Sequence, residues 1–272
     1  MLGLMMILTG CKGCSGTLDL GKGPEADARL TSDVYTWECG DNETGDLYEG
    51  VFSFDVALEY APDGLQEREL PGGCVYGLSM FPEDAGAGGA DLPGLGGDEP
   101  RWSTDDGGGE LARKAAGFYH HEVLSNVRSC ERSEDLLEGG VWLEEAAALD
   151  GASTPAAGEI DWVDEDIDDV DEDGNLSFGE PVELSWDAEG WEETWVQIRQ
   201  ERDGEPWGTV TCAADEDGFY VDDEVWGLLN GDLPVEYINL FVGFQNSDVV
   251  EMEDGQKVEV VTRGMHVLVV QD

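Results

Sequence analysis

The stretch VFSFDVALEY, residues 51–60, puts Phe52, Phe54, Val56, Leu58 and Tyr60 on one side and Ser53, Asp55 and Glu59 on the other. A period of two sustained over such a length is that of a strand with one buried face and one polar face. CVYGLSMF (74–81) reads as a second strand and YTWEC (35–39) as a weaker one. From Pro181 onward the texture becomes continuous: VELSW, TWVQIRQ, GTVTCA, GFYV, YINLFVGF, KVEVVT and MHVLVVQ succeed one another. Turn chemistry separates them, as in Asp203-Gly204, DEDG at 215–218, NGD at 230–232 and Asp254-Gly255. The fold class expected is mainly β.

About seven short strands in about 90 residues predict a C-terminal β-sandwich over 181–272. Its apolar faces would include Val182, Leu184, Trp186, Val196, Ile198, Val210, Cys212, Ile238, Leu240, Val242, Val258, Val260, Val267 and Val269. In this architecture it resembles the immunoglobulin-like modules appended to bacterial surface lipoproteins, a likeness that implies no particular activity. Residues 31–150 are expected to form an N-terminal domain, β-rich or α+β, in which 110–127 and 133–149 are open between short helices and strands. PEDAGAGGADLPGLGGDEP (82–100) reads as a long surface loop. A break at GASTPAAG (151–158) opens a linker that runs to residue 180.

The 272-residue chain carries 63 acidic against 13 basic residues, a formal net charge of −50. Such a field repels phosphate, which sets nucleic acid aside as a partner, and it concentrates cations. Apolar residues make up 40%, enough for a buried core.

The first residues, MLGLMMILTGCKGC, hold an apolar run too short to span a bilayer, which takes about 20 residues. Leu8, Thr9, Gly10 and Cys11 resemble the lipobox of bacterial lipoproteins. That resemblance implies a signal peptide at 1–10, lipidation of Cys11 and, with Lys12 next to it, attachment to the outer membrane or cell surface. Residues 11–30 then read as a tether.

Export to an oxidising compartment makes the remaining cysteines candidates for disulfides. Cys14 lies in the tether; Cys39, Cys74, Cys130 and Cys212 allow three connectivities. Proximity in sequence favours Cys39 with Cys74 and Cys130 with Cys212. If the halves were independent, Cys212 would have no partner of its own and would either cross to Cys130 or stay reduced.

DVDEDGNLSFGE, residues 169–180, matches the EF-hand calcium loop at every specified position. A hard cation takes six to eight oxygens at about 2.3–2.6 Å. Asp169, Asp171 and Asp173 would supply three, the Asn175 carbonyl a fourth and Ser177 a fifth, directly or through water, with Glu180 closing the shell on both its oxygens. Gly174 stands where the loop turns sharply, and only one register places it there. Pro181 and the strand-like VELSW deny the loop an exit helix. In the entering segment, Ile160, Val163 and Ile167 show near-helical spacing. The expected ligand is Ca2+, bound with a dissociation constant on the order of 0.1–1 mM and bracing the junction between the halves.

His120, His121 and Glu122 are a weaker candidate for a transition-metal site, and His266 is expected inside the last strand. No GxSxG, HExxH, P-loop or GxGxxG occurs in the sequence. The expectation is a lipid-anchored, calcium-binding surface protein of structural or adhesive role, meeting an unidentified surface protein or glycan, and not an enzyme. The alternatives are a carbohydrate- or solute-binding module using exposed tryptophans and, after it, an extracytoplasmic hydrolase.

Overall fold

The computed structural model describes residues 26–40, 47–60, 74–76, 99–105, 107–115, 117–124, 140–166, 176–177, 181–202, 205–229 and 237–271. These residues are mainly β. Four long strands form the centre: β1 (Ala28–Gly40) and β2 (Leu47–Tyr60) near the start, β15 (Tyr237–Glu251) and β16 (Lys257–Gln271) at the end. The outer N-terminal strands are β3 (Cys74–Tyr76), β6 (Ala112–Ala115) and β7 (Phe118–Leu124), and the outer C-terminal ones β12 (Glu193–Arg202) and β13 (Glu205–Ala213). All nine share one sheet, in the order β3-β13-β12-β15-β16-β1-β2-β7-β6. A tenth short strand, β10 (Leu176–Ser177), joins the same sheet through β16.

This order has a consequence for the two sequence halves. The middle of the sheet is the parallel pair β1 and β16, in register from Ala28 with Val258 to Thr36 with His266. Strands from both sides of the 151–180 segment thus lie in a single hydrogen-bonded layer.

Two smaller sheets pack on one face of the large one. In the first, β5 (Gly108–Glu110), β4 (Arg101–Ser103) and β8 (Trp142–Glu144) are neighbours in that order. Trp102, Leu111, Leu143 and Leu149 share a core with Leu30 of β1 and with Phe54, Val56 and Leu58, inward positions of the VFSFDVALEY stretch. The second is β14 (Gly218–Val221), β11 (Val182–Glu189) and β9 (Glu159–Asp166), with a short helix α1 (Asp223–Trp226) following β14. Val182, Leu184, Trp186, Val221 and Trp226 share a second core with Val196, Ile198, Val210, Leu240 and Val242. Asp222 caps α1, accepting from the backbone N–H of Glu224 and Val225.

Three sequence expectations change here. KVEVVT and MHVLVVQ are one strand, because β15 and β1 both pair across Arg263 and Gly264 without interruption. With that continuous parity Val258 and Val260 face the first core, while Met265 and Val267 face the other side, against Trp195, Ala213 and Phe241. The segment entering the acidic loop is a strand, not a helix, since pairing with β11 takes up its backbone groups. Finally, 110–127 and 133–149 resolve, where described, into β6, β7, β8 and a 3-10 turn (Ala147–Leu149).

Asp254-Gly255 does make the β15–β16 hairpin turn. Gly255 has φ +87°, and Asp254 Oδ1 accepts from the Gln256 N–H at 3.0 Å.

Candidate functional site

Two places gather charge: the acidic loop and the joint between β1 and β16. The loop leaves β9 after Asp166 and re-enters at β11, whose residues pair antiparallel with β9 from Glu183↔Asp166 to Glu189↔Glu159. Its ends are therefore fixed side by side. Asp166 and Glu183 each stand three residues outside Asp169 and Glu180, the first and last predicted ligands. Within the loop, β10 runs parallel to β16, Leu176 opposite Val270 and Ser177 opposite Gln271. Asp169, Asp171, Asp173, Asn175 and Glu180 lie outside the described residues, as do Cys11 and the N-terminal segment; of Ser177 only the backbone is described. Among the described residues no group of three or more His, Cys, Asp or Glu is placed to hold a metal ion.

The cysteine pairing differs from expectation. Cys74 is bonded to Cys212, not to Cys39, and Cys212 not to Cys130. The reason is the far edge of the sheet, where β3 pairs antiparallel with β13 and sets Cys74 opposite Cys212, Cα atoms 4.0 Å apart. Cys130 and the Cys39 side chain are outside the described residues. The bond closes a span of 138 residues. Sequence proximity was the wrong guide because β3 crosses to the strand farthest from its own neighbours.

The GASTPAAG segment is tied down from the same sheet. Thr262 Oγ1 donates to the Pro155 carbonyl at 2.5 Å, and Ser32 Oγ lies 3.2 Å from Thr262 Oγ1 and 3.3 Å from Thr154 Oγ1. Asn246 Nδ2 donates to the carbonyls of Ala156 (3.1 Å) and Gly190 (2.8 Å), while its Oδ1 accepts from the Glu192 N–H (2.9 Å). A stretch that reads as a break in the sequence is a hydrogen-bonded crossing in the fold.

On the opposite face of the sheet the joint is charged. Arg263 donates through Nε and Nη2 to the two oxygens of Asp33, at 2.8 and 3.0 Å, and both side chains are almost completely buried. Four residues back along each strand, Arg29 Nε donates to Glu259 Oε2 at 2.6 Å. The Arg29 guanidinium acts on a second carboxylate as well, that of Glu59. Asp55 is the register partner of Asp33 and Glu59 that of Arg29. Burial raises the Asp33 pKa above its ordinary value; Arg263 opposes the shift and Asp55 adds to it. Burial likewise raises that of Glu59, against Arg29 and with Glu259.

The adjacent histidines separate, as alternation along a strand requires. His120 Nε2 lies 3.4 Å from Asp55 Oδ1, on the charged face. His121 Nδ1 accepts from Trp102 Nε1 at 2.9 Å, on the face of the first core. They do not converge on one point. His266 is buried in β16. The tryptophans whose side chains are described also go inward: Trp102, Trp186, Trp195 and Trp226 are buried, and Trp142 and Trp191 half-buried.

No signal in the sequence marks the Asp33, Asp55, Arg263 and His120 cluster, because it depends on the β1–β16 register. Alternation does put Asp55 and Glu59 on the polar face of β2, and that much was readable. The chain matches no known protein family, and no curated protein is significantly similar to it.

Proposed function

We propose that the protein is a calcium-braced structural protein of the bacterial exterior, held by a lipid on Cys11 and adhesive toward a surface protein or glycan. The supporting observation is the pairing of Asp166 with Glu183, which closes the base of the loop carrying the calcium motif. A twelve-residue calcium loop needs its first and last ligands at one point, and a hairpin base brings the chain together there. The acids of the loop repel one another unless a cation sits among them.

Calorimetry of the soluble chain with and without 10 mM calcium tests this reading. About 3 kcal/mol of stabilisation is expected near a hundredfold excess over the dissociation constant, and a Glu180→Gln variant should lose most of it. An unmoved melting temperature would sink the calcium assignment. Lipidation is checked separately: Cys11→Ser should release the protein from membranes into the soluble fraction.

A further inference from the structure

We propose that the joint between β1 and β16 is a proton-operated latch: its four charged or titratable side chains take up one proton on mild acidification and close more tightly. Asp33 and Asp55 bring two carboxylates to the face, Arg263 one permanent cation and His120 a cation only when protonated. With His120 neutral, one negative charge is in surplus, in a place where Asp33 and Arg263 have almost no solvent. One proton added to the cluster as a whole removes the surplus.

The surroundings point the same way. Asp33 is faced by Arg263 from β16, Asp55 from β2 and His120 from β7. Glu122 of β7, the register partner of Asp55, is exposed. One row along, Glu59 and Glu259 share Arg29, again two carboxylates to one guanidinium. Of the charges that act on Asp33, those of Arg263 and His120 are the cationic ones. Burial, which raises the Asp33 pKa, acts in the direction of proton uptake.

The position gives the proton leverage. β1–β16 is the parallel seam at which residues 230 apart in sequence meet, so loosening it frees the edge of β1, β2, β7 and β6 from that of β16. From Trp195 with Ala213 to Ile198 with Val210 the β12–β13 pair of the same sheet sets uncharged residues opposite one another, and it provides an internal reference.

The test is hydrogen exchange of the full chain followed by mass spectrometry at pH 7.5 and 5.5, corrected for intrinsic exchange rates. Protection of peptides covering 28–36 and 258–266 should rise severalfold on acidification. Peptides from β12 and β13 should change less. Asp55→Asn removes the surplus charge, so its joint should be well protected at both pH values; Glu216→Gln, an exposed control, should behave as the wild type. Protection that changes equally at both joints of the wild-type chain would overturn the latch, even if Asp55→Asn did not fold. An Asp55→Asn joint with the wild-type pH dependence would also overturn it.

Discussion

Arg263 and Asp33, 230 residues apart in sequence, form a two-bond ion pair at 2.8 and 3.0 Å on the buried face of neighbouring parallel strands. A buried pair of this kind is costly to break from one side, because the remaining charge stays desolvated. Arg263→Ala should therefore destabilise the chain by about 3–5 kcal/mol. Arg263→Lys keeps the charge but loses the fork and should fall between the two. Urea denaturation checks both, and equal stability of all three chains would mean that the pair is not desolvated.

Glu59 gives the pH prediction. A carboxyl whose folded pKa lies above its unfolded value costs stability where it is ionised, and the cost fades as pH falls through the raised value. Glu59→Gln should accordingly be the more stable protein at pH 7, by less than about 1 kcal/mol at this partly solvated position. The difference should vanish below about pH 4, where Glu59 is neutral in both states. Thermal melts across pH 4–8 measure it, and a variant less stable at pH 7 would contradict the reading.

The Cys74–Cys212 bond should contribute about 2–5 kcal/mol, the usual range for a native disulfide, and the long span places it toward the upper end. Denaturation with and without reductant gives the figure. Peptide mapping without reduction should recover Cys74 joined to Cys212; recovery of Cys130 joined to Cys212 would refute the β3–β13 pairing.

Asn246 makes three hydrogen bonds to backbone that would otherwise lack these partners. Asn246→Ala should cost about 1–3 kcal/mol, the penalty of leaving buried polar groups unsatisfied. It should also speed hydrogen exchange or proteolysis around residues 156–158 and 190–192. Unchanged cleavage there would mean that Thr262 and Pro155 suffice to hold the crossing.

The strands were legible wherever one face is apolar. VFSFDVALEY, VELSW and YINLFVGF needed nothing beyond alternation. The β16 strand was split in reading because Arg263 and Gly264 interrupt its apolar run, and only its two neighbours show that the backbone continues. Sheet order was not legible, since a parallel pairing between the first and last strands leaves no local trace. The disulfide failed for that reason, and so did the charged cluster. The crossing at Thr154 to Ala156 was hidden differently: its partners, Thr262 and Asn246, look like ordinary strand residues until the sheet is assembled.

The parallel seam also sets how the molecule would bear a load. A tether entering at Ala28 and a pull leaving at Gln271 would draw β1 and β16 past each other along their common axis. Their hydrogen bonds would then be strained together in shear, not peeled one after another, and the two guanidinium clasps would resist in the same direction. A chain held at one end and gripped at the other would meet the force with that whole row of bonds at once.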